Sequence, residues 1–174
     1  MSDLFTYRVK IKPEWIDHNG HLNVAYFVLA FDYATDVYYE TLLIGDAYPE
    51  ESGCSVFTLG MDVDYLSEIF AGDEVEITTQ LLDWDQKRLH YYHTMINLNT
   101  GITAATNECL GMNVNLESRR SAPFPVKVRH RLSEVFEQNK GLPHPKKQGR
   151  RLAIPRKCSG RRQVGRSDTL KIWC

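Results

Sequence analysis

Paired cysteines are missing from this sequence. Its four cysteines, Cys54, Cys109, Cys158 and Cys174, are scattered without a CxxC pair or metal-ligand spacing. Reduced, unconnected thiols are therefore expected, and a disulfide framework is not. No apolar run approaches the length that crosses a bilayer, and Met1-Ser2-Asp3-Leu4-Phe5-Thr6-Tyr7-Arg8 lacks the basic-then-apolar order of a secretory leader. The chain reads as cytoplasmic, with no membrane partner. Glycine-rich phosphate cradles are absent too. His18/His21 and His90/His93 stand three residues apart, yet nothing at convincing spacing completes a ligand set, so no metal is expected.

What is present suits one domain: 174 residues, 43% apolar and 25% charged. The formal net charge of −1 conceals a division. Of the 21 Lys and Arg, 11 lie in residues 140–174, where Asp168 is the single acid. The stretch Gly141-Leu142-Pro143-His144-Pro145 marks a linker ahead of most of them. A domain over 1–139 is expected, followed by a basic, poorly ordered tail over 140–174. Such a tail could meet nucleic acid or an acidic surface. It lacks interleaved aromatics and any nucleic-acid motif, which argues against that partner.

The polar density of the chain peaks at Trp15-Ile16-Asp17-His18-Asn19-Gly20-His21-Leu22-Asn23, directly ahead of an apolar segment. From Val24 to about Leu43, the residues Phe27, Ala30, Phe31, Ala34, Val37, Tyr38 and Leu42 recur at helical intervals, so a helix with a buried face is expected. Asn23 suits its N-cap, and Gly20 suits a sharp entry loop. The amides of Val24, Ala25 and Tyr26 then have no partner one turn back and point, with the positive end of the helix dipole, toward the loop carrying Asp17. An acid facing such donors is a chemical arrangement. By themselves, Asp17 and Asn23 equally suit plain helix capping.

Around this helix the period is two. Phe5 to Ile11 alternates and ends at Pro13. Gly45 to Gly53 reads as a polar connection. Ser55 to Leu66 places Phe57, Leu59, Met61, Val63 and Tyr65 on one face, and Glu74 to Leu82, Arg88 to Leu98 and Ile102 to Leu116 follow as strands between short polar turns. In the last of them the even positions, Ile102 to Leu116, form the apolar face. Glu108 lies in that row, where a carboxylate must be neutralised, paired or exposed to a cavity, unless a bulge near Gly111 turns it to solvent. A second helix from Val126 to about Asn139 presents Val128, Leu132, Val135 and Phe136 to a sheet edge. Strand, helix and a four-stranded meander make an α+β pattern, with one antiparallel sheet wrapped around one long central helix.

The loop Asp17-His18-Asn19-Gly20-His21-Leu22-Asn23, the strand Phe57 to Leu66 and the turn Gly72-Asp73-Glu74-Val75 resemble the hotdog-fold acyl-CoA thioesterases of the hydroxybenzoyl-CoA thioesterase type. Trp15 to Leu22, Phe31-Asp32-Tyr33-Ala34-Thr35-Asp36, Lys87-Arg88-Leu89-His90 and Ser121-Ala122-Pro123-Phe124 are similar to the betainyl-CoA thioesterases of carnitine catabolism. The resemblance covers about residues 5–139. It implies an acyl-CoA substrate, with coenzyme A part of that substrate and no separate cofactor. Asp17 would act on the thioester carbonyl as base or nucleophile, and the Val24 backbone N–H would polarise the carbonyl oxygen. Asn23 and His21 would orient water or the loop, although capping alone explains them as well. It further implies a homodimer or homotetramer with sites between subunits. A betainyl end is a quaternary ammonium, recognised by aromatic faces and negative charge. Trp15, Tyr26, Phe27, Tyr33 and Glu108 are the candidates, Phe27 doubling as helix core. A hotdog hydratase or dehydratase built on His21 and Asp17, and a non-catalytic acyl-CoA-binding module, are the competing readings.

Overall fold

The computed structural model describes residues 4–143 and Pro145. The expected tail therefore lies almost wholly outside the described residues. The elements run β1 (Phe5–Lys10), a 3-10 turn (Pro13–Trp15), α1 (Val24–Thr41), α2 (Tyr48–Ser52), β2 (Cys54–Tyr65), β3 (Glu74–Trp84), β4 (Arg88–Asn97), β5 (Ile102–Asn115) and α3 (Val126–Asn139). The strands form one antiparallel sheet in the order β1-β3-β4-β5-β2. Its inner face packs on α1, the hotdog arrangement.

Helix α1 begins where the sequence places it. The Asn23 side chain accepts from Ala25 N–H at 2.9 Å, and Phe27, Ala30, Phe31, Ala34 and Tyr38 are buried. Each large apolar side chain so buried contributes about 1.5–3 kcal/mol. Val37 does not join this stripe and is 44% exposed. The buried place is taken by Thr35, which meets a polar partner in the sheet. Thr35 Oγ1 donates to the Phe31 carbonyl at 3.0 Å, so it accepts from His93 Nε2–H at 3.0 Å, and His93 Nδ1 in turn accepts from Thr79 Oγ1 at 2.9 Å. Burial pushes the His93 pKa down to about 3. The neutral imidazole thus pins α1 to β3 and β4 beside the stacked ring of Phe31.

The strands depart from simple alternation at two places. In β2 the register shifts between Thr58 and Gly60, and this bulge reverses the phase. Met61, Val63 and Tyr65 face the helix side opposite Cys109, Asn107 and Ala105, whereas Phe57 falls on the outer face opposite Met112. In β5 the expected inner row is the outer one. His93 faces α1 and pairs with Asn107, so Asn107, Cys109 and Gly111 line the inner face. A Cβ at Gly111 would come within 2.9 Å of Val56 Cγ1 and 3.0 Å of Leu89 Cδ2 and the Tyr39 hydroxyl, so these three side chains close over the glycine. Bulk on that face comes from Tyr91 and His93 of β4 instead.

One further difference is local, and one expectation is met. The Gly45–Gly53 connection folds into α2, which buries Tyr48 and lets its hydroxyl donate to Asn113 Oδ1 at 2.9 Å. Helix α3 covers the part of β3 that β1 leaves unpaired. There Asn139 Oδ1 accepts from Leu81 N–H at 2.8 Å, a side chain replacing the missing strand partner.

Candidate active site

The Asp17 loop is built by backbone hydrogen bonds. Asp17 N–H donates to His21 O at 3.0 Å, Gly20 N–H to Asp17 O at 3.0 Å and Asn23 N–H to Trp15 O at 3.0 Å. Gly20 sits at φ +85°, a conformation that side chains resist. Leu22 N–H donates to Ile69 O at 2.7 Å and so fastens the loop to the segment after β2. A cleft of about 440 Å³ opens at this junction, lined by Asp17, His21, Leu22, Val24 and Phe27 on one side and by Tyr65, Leu66, Ser67 and Glu68 on the other.

Of the three helix-entry amides, two are occupied. Ala25 N–H is capped by Asn23 Oδ1, and Tyr26 N–H donates to Asn23 O at 2.9 Å. Val24 N–H has no intramolecular acceptor among the described residues, and Val24 lines the cleft. The helix therefore presents one donor there rather than three. Asp17 is similarly divided. Its Oδ1 accepts from Asn19 N–H at 2.8 Å, which fixes the carboxylate, and its Oδ2 accepts no hydrogen bond among the described residues. A free acceptor and a free donor, with a helix dipole behind the donor, flank one cleft. That pair suits attack on a carbonyl whose oxygen gains negative charge.

The other expected residues divide between this cleft and places apart from it. His21 lines the cleft, with its Nδ1 3.3 Å from Leu22 O and no hydrogen bond to the Asp17 side chain. Asn23 is engaged as the helix cap. Phe27 lines the cleft and meets Tyr65 edge-on at 5.2 Å between centroids. Trp15, Tyr26 and Tyr33 do not line it. Trp15 is buried, stacks on Tyr26 at 5.5 Å and tilts against Tyr33 at 6.5 Å, with Lys12 Nζ 5.4 Å from its ring centre, so this cluster braces the start of α1.

Glu108 is also placed elsewhere. It stands on the outer face of the sheet, 2% exposed, with its Oε1 2.6 Å from His90 Nε2. Of the outcomes open to a carboxylate in an apolar row, pairing is the one found, with His90, and Glu108 is not among the residues lining the cleft. His90 and His93, an odd number of strand positions apart, point to opposite faces. No group of three or more potential metal ligands comes together among the described residues.

The far wall, Tyr65 to Glu68, was not foreseen. It reaches Asp17 through the Leu22–Ile69 hydrogen bond, a non-local pairing. The one local hint is the end of an apolar strand running into Ser67-Glu68.

Comparison with known proteins identifies the family. A family model described as the Thioesterase-like superfamily matches residues 11–132. The chain is 38% identical over 152 residues to the betainyl-CoA thioesterase of Pseudomonas aeruginosa, covering 87% of this chain and 96% of that one. It is 28% identical over 147 residues to the L-carnitine dehydrogenase/betainyl-CoA thioesterase of Rhizobium meliloti, covering 84% of this chain and 29% of that longer protein. Among solved structures, a Staphylococcus aureus protein in complex with CoA superimposes with TM-score 0.80 at 30% identity, covering 88% of this chain and 96% of that one. A putative thioesterase from Pseudomonas putida gives 0.73 at 33%, covering 88% and 99%. No described helix is long and apolar enough to cross a membrane.

Proposed function

The chain belongs to the thioesterase-like superfamily and is an acyl-CoA thioester hydrolase, and on that premise we propose that its substrate is betainyl-CoA, split into betaine and CoA. The observation that carries the chemistry is the unpartnered pair on one cleft, Asp17 Oδ2 and Val24 N–H. With the thioester oxygen on Val24 N–H, Asp17 takes a proton from water as the water oxygen bonds to the carbonyl carbon. The developing oxyanion is held by the amide. Its collapse breaks the C–S bond, and the leaving sulfur receives the proton from Asp17. Direct attack by Asp17, followed by water opening the resulting anhydride, uses the same two groups. A preorganised donor of this kind supplies about 3–4 kcal/mol of barrier lowering, and a positioned base a factor of about a hundred to ten thousand.

Two observations support the rest of the reading. The match to the Pseudomonas aeruginosa enzyme spans nearly its whole length, which favours betainyl-CoA over other acyl groups. Strand β2 is a 12-residue sheet edge carrying Phe57, Leu59, Met61 and Tyr65, each more than a third exposed. An apolar edge of that length is what a second copy covers, so the active form is a homodimer joined along β2, beside the Tyr65–Glu68 wall. Hydratase chemistry needs a histidine paired with a carboxylate, and although His21 and Asp17 both line the cleft, His21 Nδ1 lies against Leu22 O and makes no hydrogen bond to the Asp17 side chain.

Thiol release from betainyl-, acetyl-, isobutyryl- and 3,3-dimethylbutyryl-CoA tests the substrate. The highest kcat/KM is expected for betainyl-CoA. A higher value for any neutral acyl group overturns that choice while leaving the hydrolase intact.

A further inference from the structure

Hydrolysis of a betainyl thioester sets a distance constraint on recognition of its cation. In that acyl group the quaternary nitrogen is attached to the carbon next to the carbonyl. With ordinary N–C and C–C bonds, nitrogen and reacting carbon lie about 2.5 Å apart. Whatever recognises the cation must therefore line the same cleft as Asp17 and Val24. The buried Glu108, on the outer face of the sheet, and the Trp15, Tyr26 and Tyr33 cluster do not.

Within the cleft the charges are one-sided. Its lining includes two carboxylates, Asp17 and Glu68, and no Lys or Arg. Asp17 is tied to the Asn19 amide and is occupied with the carbonyl. Glu68 forms no ion pair with a cation of the described chain. Its backbone is held on both sides, because Ser67 N–H donates to Ala104 O at 3.1 Å and Ile69 O accepts from Leu22 N–H at 2.7 Å. The same cleft is lined by the rings of Tyr65, 46% exposed, and Phe27, which meet edge-on. A trimethylammonium group has no N–H to donate, so a fixed negative charge and aromatic rings are the means of holding it.

We propose that Glu68, together with the rings of Tyr65 and Phe27, holds the trimethylammonium end of the acyl group and sets the preference for a cationic over a neutral substrate. The assignment rests on the betainyl-CoA reading. It gives Glu68 a binding task distinct from the chemistry of Asp17. Because Glu68 is exposed in the chain alone, substitution there is expected to leave folding intact.

The test compares kcat/KM for betainyl-CoA and for its uncharged isostere, 3,3-dimethylbutyryl-CoA, in wild type and in Glu68→Gln, Glu68→Asp and Glu68→Lys. Glu68→Gln is expected to cut the preference for betainyl-CoA roughly tenfold, the size of one part-screened charge contact. Turnover of the neutral ester should fall less than that of betainyl-CoA, so that the ratio of the two moves. Glu68→Asp should keep most of the preference, and Glu68→Lys should reverse it. A wild-type preference that survives in Glu68→Gln, or an equal loss on both esters, overturns the role of Glu68 while the substrate reading stands. Equal handling of the two esters by wild type overturns the substrate reading itself.

Discussion

Replacing Val24 with proline removes the one helix-entry donor that faces the cleft. The site tolerates the change for structural reasons. Val24 is the first residue of α1, where proline fits the required φ and its missing N–H breaks no intramolecular bond. The preceding Asn23 is extended, at φ −64° and ψ 142°, which is the conformation proline imposes on its neighbour. The Asn23 cap on Ala25 N–H remains. Stability should therefore stay within about 1 kcal/mol of wild type by urea unfolding, since none of the ordinary causes of large destabilisation applies. Loss of the oxyanion donor should lower kcat by a factor of about a hundred to a thousand, or 2.7–4 kcal/mol, with KM little changed. Val24→Ala separates the backbone from the side chain and should retain wild-type kcat. Stopped-flow thiol release reports both values. A folded Val24→Pro protein that keeps more than about a tenth of wild-type kcat would refute the donor role, being well short of that expected contribution.

Other consequences reach beyond the cleft. Burial holds the folded His93 pKa at about 3, below its usual 6.5, so between these values the unfolded chain binds a proton that the native chain excludes. That contribution to stability is complete above pH 6.5 and fades as pH falls. The slope is about 1.4 kcal/mol per pH unit, giving a loss of about 2 kcal/mol at pH 5. Urea midpoints should show this slope in wild type and a shallower one in His93→Phe; parallel slopes would contradict it. Met61→Arg, which charges the middle of the β2 edge, should halve the mass seen by light scattering and depress activity. An unchanged dimer would move the interface elsewhere.

The parts legible in the sequence are those whose physics is local. Asn23 ahead of a helical apolar stripe gives the start of α1, and Val128, Leu132 and Val135 give α3, because capping and periodicity act within one or two turns. The phase of β5 misleads because the inner face of that strand takes its bulk from a neighbour. Small and polar residues, Asn107, Cys109 and Gly111, suit the inner face, and the bulk is supplied by Tyr91 and His93 from the neighbouring strand. The β2 bulge reverses the faces without any change in composition. In the site, Asp17, Val24 and Phe27 were legible because they lie around one helix start. Tyr65 to Glu68 were not, because a hydrogen bond between Leu22 and Ile69, far apart in sequence, brings them across the cleft.

Asp17→Asn bears most directly on the central claim. The carboxamide keeps the size of the side chain and an oxygen for the Asn19 amide, so the loop and fold should persist. It cannot accept a proton from water or attack a thioester at a useful rate. Single-turnover thiol release from betainyl-CoA, with circular dichroism and light scattering as controls for fold and assembly, should fall by at least a factor of about a hundred. A well-folded Asp17→Asn enzyme with activity near wild type would show that the carboxylate at the start of α1 is a cap and not the group that drives hydrolysis.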